Sequence, residues 1–160
     1  MSTQVLGAAA AGTAVIGGGG ATIAYAAGAF DPKVKESKQE VSTYKTLAEK
    51  EFETSKEYVG GDESAIKTLL EKAGDTSYKT TLKNTHWEKM EEKDILEDDK
   101  PTKTKDNEFD NNGKNDEISK YVSAWCQAVS EKELSSIPKN GETNNNRWEA
   151  FKFACFKQKP

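Results

Sequence analysis

Apolar and polar positions alternate in blocks along this chain, and the blocks predict its elements. Residues 1–30 carry no charged side chain. Residues 5–30, rich in Ala and Gly, are long enough to cross the roughly 30 Å hydrocarbon core as a helix. Asp31-Pro32 ends that stretch and offers a helix start, Asp as N-cap and Pro at N1. Val41, Tyr44, Ala48, Phe52 and Val59, with Leu47 beside them, recur at mostly helical steps up to Gly60-Gly61, where the first helix is expected to end. Asp62 or Ser64 caps a second helix carrying Ile66, Leu69, Leu70 and Ala73, closed by Gly74. A weaker third spans 77–93, with Tyr78, Leu82, Trp87 and Met90.

The pattern lapses over 94–115, which reads as a solvated acidic loop or local disorder. The strongest helix follows, capped by Asn115 or Asp116. Its residues Ile118, Tyr121, Val122, Trp125, Cys126 and Val129 fall at i, i+3, i+4, i+7, i+8 and i+11, and it fades near Leu134. In the last segment Trp148, Phe151 and Cys155 share a helical face, while Phe151, Phe153 and Cys155 would share a strand face. The fold class predicted is mainly α: a membrane helix over 1–30, then a small charged helical domain over 31–160 with loop 94–115. The alternative is α+β with a short C-terminal strand.

Charge changes the picture of partners. All 50 charged side chains, 23 basic and 27 acidic, follow residue 30, for a net charge of −4. No nucleic-acid footprint results. Among the basic residues only Arg147 is Arg, and Lys is a poor replacement for the Arg fork at phosphate or carboxylate sites. The N-terminal stretch is read as an uncleaved membrane helix, making lipid a partner through 5–30. A cleaved signal, with A-x-A steps at 24–26 and 27–29, and a flexible tail are the alternatives. Gly12 and Gly17 have the first spacing of a phosphate-binding P-loop. Gly18 and Gly19 then stand where its Lys and Ser/Thr must be, so that motif is excluded.

Candidate chemistry is sparse, and no catalytic, cofactor or metal residue is predicted. His86 is the only histidine and reads as a surface residue in a polar stretch. Glu108, Asp110, Asn112 and Asp116 sit at calcium-loop spacing around Gly113, but Ser119 stands where the bidentate Glu is required. The acidic run of Glu91, Glu92, Asp94, Glu97, Asp98 and Asp99 is followed by Lys100, Lys103 and Lys105 and reads as a solvated mixed-charge face. Arg147, beside Trp148, is given a structural role. Cys126 and Cys155 lie on apolar faces of two elements that can dock antiparallel, so a disulfide is predicted; two buried free thiols are the alternative.

The uncharged start with its Gly7–Gly12 Ala/Gly run, the Lys/Glu-rich body, the late helix ending Val122-Ser123-Ala124-Trp125-Cys126 and the second Cys recur together elsewhere. In this layout the chain resembles the lineage-specific paralogous proteins of haemotropic mycoplasmas. These are short, numerous proteins without established function that are taken for exported surface antigens. The resemblance implies a surface protein meeting host molecules and brings no catalytic residues. The function expected is a non-enzymatic, membrane-anchored surface antigen or adhesion module. A membrane-bound hydrolase with a degenerate site and a membrane-active effector with a fusion-like N-terminus are the alternatives. Lys33, Lys35 and Lys38 after the membrane segment argue for a cytoplasmic domain. The disulfide and the resemblance argue for an extracellular one, which is the side expected.

Overall fold

A computed structural model describes residues 41–96 and 100–160, which lie in one compact unit. The Asp31-Pro32 helix start and the membrane segment over 5–30 fall outside the described residues. No described helix is long and apolar enough to cross a membrane.

The domain is mainly helical with one two-stranded ribbon. Helix α1 spans Tyr44–Phe52, α2 Glu63–Leu70, α3 Ser77–Thr81, α4 Asn115–Ser130 and α5 Asn145–Ala154. Strand β1, Lys56–Tyr58, pairs antiparallel with β2, Phe156–Gln158.

α4 is the spine. Its six periodic apolar residues are all buried, and α2 lies along it. α5 contributes Trp148 and Phe151 from one buried face, and Cys155, just past its end, is buried with them, as the helical reading expects. The three largest aromatics, Trp87, Trp125 and Trp148, come from three different segments and are all enclosed. Tyr44 donates its amide to the Lys132 carbonyl at 3.1 Å, and Leu134 donates to that of Ser42 at 2.9 Å. These two bonds clamp the start of α1 to the turn after α4.

The first described helix is shorter than its apolar spacing suggests. It starts with a capping box between Thr43 and Thr46 and stops at Phe52, where Glu53 takes φ 48°. Val59, expected on that helix, instead follows β1 and donates to the Cys155 carbonyl at 2.8 Å. Asp62 caps α2 as expected, accepting from the Ala65 amide at 2.9 Å. The third helical stretch departs from α geometry: after α3 it widens into a π turn over Leu82–His86 and tightens to 3₁₀ over Trp87–Lys89. At α4 neither Asn115 nor Asp116 is the cap. Lys114 holds that position, and Asn115 uses its side chain to accept from Lys79 Nζ at 2.8 Å.

Segment 94–115 is irregular but not solvated throughout. Ile95, Thr104 and Phe109 are buried, and Phe109 meets the Trp87 ring edge-on at 4.9 Å between centroids. Trp87 Nε1 donates to the Thr104 carbonyl at 3.0 Å. Single anchors at irregular spacing hold this segment down, which a search for periodicity cannot register.

Candidate functional site

Cys126 lies within α4 and Cys155 directly follows α5. The two are joined in a disulfide, Cα to Cα 5.5 Å, and both are fully buried. Tyr58 reaches over from β1 to donate its hydroxyl to the Cys126 carbonyl at 3.0 Å, and Tyr78 donates to that of Ala154 at 2.9 Å. With both sulfurs spent on each other, neither thiol is available as a nucleophile for His86.

His86 is not on the surface. It is 8% exposed, stacked on Phe153 at 4.6 Å, and its Nδ1 has no hydrogen-bond partner among the described residues. The π turn over Leu82–His86 carries it inward at the end of the polar run Lys83-Asn84-Thr85. Burial, with Lys89 adding to it, pushes its pKa down to about 4. The unfolded chain therefore takes up this proton near pH 6.5 and the folded chain only near 4. Stability should be complete above pH 6.5 and fall by about 2–3 kcal/mol as pH drops to 4. Urea midpoints of wild type and His86→Phe should diverge across that window, with the variant losing less; parallel curves would show that His86 titrates freely in the fold.

Asp94 breaks from the expected solvated acidic face. It is 4% exposed and takes the fork of Arg147, Nε at 2.9 Å and Nη2 at 2.8 Å, with Lys132 Nζ at 3.6 Å. The neutralising charges thus come from α5 and the turn after α4, not from the neighbouring lysines. Arg147 also donates to Asn144 Oδ1 at 3.2 Å, so it fastens the start of α5 to the 92–96 segment. Lys103 Nζ donates to the Trp87 and Met90 carbonyls at 2.8 and 3.0 Å, closing the end of the third helical stretch. Residues 97–99 of the acidic run lie outside the described residues.

The calcium-spaced residues do not converge. Asp110 pairs with Lys83 at 2.6 Å and Asp116 with Lys67 at 2.5 Å, on different neighbours. Among the described residues no group of three or more His, Cys, Asp or Glu side chains is placed to hold a metal ion.

What the sequence did not point to is a groove of about 440 Å³ between the ribbon and the α2–α3 region. Leu69, Tyr78, Phe153 and Phe156 give it an apolar lining, and Lys56, Lys72 and Lys157 give it cationic rims. Its volume lies in the range of ligand-binding clefts, about 300–1,000 Å³. Burial lowers the Lys56 pKa, with Lys152 adding to it, and Lys56 Nζ sits 4.1 Å over the Phe52 ring. Residues from five separate elements build the groove, so no local motif announces it. No family model, no curated protein and no solved structure matches this chain.

Proposed function

We propose that the chain is a membrane-anchored protein that holds its helical domain outside the cell, as a non-enzymatic surface antigen or adhesion module. The observation that carries this reading is the Cys126–Cys155 bridge. Disulfides persist in oxidising surroundings and are rare in reducing cytoplasm. The charge-free stretch over 5–30 supplies the anchor, and lipid is its partner there. The resemblance to haemotropic mycoplasma paralogues agrees with an exterior domain meeting host surface molecules.

Opposing this, Lys33, Lys35 and Lys38 favour the cytoplasmic side. A membrane-impermeant lysine reagent on intact cells separates the two. All 22 lysines follow residue 30, so an exterior domain should label heavily before lysis. Labelling that appears only after lysis would end the surface reading.

A further inference from the structure

The register of the ribbon fixes which backbone groups its outer edge presents. Val59 donates to the Cys155 carbonyl at 2.8 Å and Lys159 to that of Ser55 at 3.1 Å. Pairs 59/155 and 55/159 are therefore hydrogen-bonded, and Glu57 lies opposite Lys157 between them. Antiparallel ladders alternate hydrogen-bonded with non-hydrogen-bonded pairs. The ladder bonds of β2 thus come from Lys157, while Phe156 and Gln158 turn their N–H and C=O away from β1. No third strand lies there among the described residues.

The groove borders β2 more than β1. All three β2 residues line it and β1 adds only Lys56, with Leu69, Lys72 and Tyr78 joining them from the α2–α3 region. Its charges are unequally committed. Lys72 pairs with Asp75 at 2.9 Å and Lys157 with Glu57 at 2.6 Å. Asp75 is further occupied by the Ser77 amide and hydroxyl. Lys56 rests on an aromatic face, and Glu51, the acid that bears on it, bonds Lys152 at 2.9 Å. The charge left over in the groove is positive.

We propose that β2 is the docking edge for an extended acidic peptide segment of a partner protein. The segment adds as a third strand along Phe156–Gln158, sets a carboxylate at Lys56 and lays an apolar side chain on Tyr78 and Phe153. Main-chain bonds would supply affinity and the alternating side chains selectivity. The proposal names partner chemistry for the adhesion reading and rests on it, yet the two fail separately: labelling reads where the domain lies, binding reads what β2 takes up.

The test uses the full chain, purified in detergent micelles, and a blocked seven-residue peptide alternating glutamate and valine. Binding should saturate and slow amide exchange at Phe156 and Gln158. N-methylation of alternate peptide amides, or lysine in place of glutamate, should weaken it about tenfold or more. Gln158→Pro removes one outward donor while sparing the ladder bonds from Lys157, and an edge strand accepts proline there. It should cost about tenfold in affinity at an unchanged thermal midpoint, and Lys56→Gln should weaken the glutamate peptide but not the lysine one. Equal binding by the N-methylated peptide, or no binding at all, would overturn the proposal. So would glutarate alone reproducing the same shifts, which would make the groove a small-anion site instead.

Discussion

Removal of the Cys126–Cys155 bridge should lower stability by about 3–4 kcal/mol, the chain-entropy value for a loop of this length. The bridge joins positions 29 apart and ties the middle of the spine helix to the junction of α5 and β2. Urea unfolding of the oxidised protein against Cys126→Ala/Cys155→Ala measures the loss without introducing a stray thiol. Both cysteines are fully buried, so dithiothreitol should reduce the native protein far more slowly than the urea-unfolded one. Equal midpoints for bridged and unbridged protein would show that the helices hold this geometry unaided.

The second large effect lies at Arg147. Arg147→Met leaves Asp94 enclosed with only Lys132 at 3.6 Å, and breaking a buried pair from one side costs about 3–5 kcal/mol. The lower end is expected, because the Arg147 side chain keeps 22% of its surface in water. Arg147→Lys restores the charge but not the fork and should recover only part of the loss. Asp94→Asn combined with Arg147→Met should recover most of it, because no unpaired charge is left inside. A thermodynamic cycle over wild type, Arg147→Met, Asp94→Asn and the double variant gives the coupling directly; additive losses would mean that Asp94 and Arg147 act independently.

The parts of this fold that were legible were those with local causes. α4 could be read because six apolar residues hold one helical stripe, and α2 because Asp62 stands where its first turn needs an acceptor. β1 could not be read. Lys56, Glu57 and Tyr58 are too few to show alternation, and their partner strand lies 100 residues further on. His86 was hidden by the polar residues that precede it, since its burial depends on a π turn and on Phe153 from α5. Asp94 looked like one member of an acidic run until Arg147, 53 positions away, met it. The groove is the extreme case: each residue in it has an ordinary local explanation, and only the packing of α2 and α3 beside β2 brings them to one place.

The bridge also sets how the domain would yield under force. β1 and β2 meet with Lys56 opposite Gln158, so a load applied between the N-terminal side of β1 and the far end of β2 peels the ribbon pair by pair. Extension then reaches the sulfurs, where tension crosses covalently from α4 to the start of β2. The segment between Cys126 and Cys155, α5 included, carries none of it. At about 3.4 Å per extended residue, roughly 100 Å of contour stays locked away. A partner held at β2 would load the bridge directly, and the length released before it tightens would be the chain between β1 and Cys126.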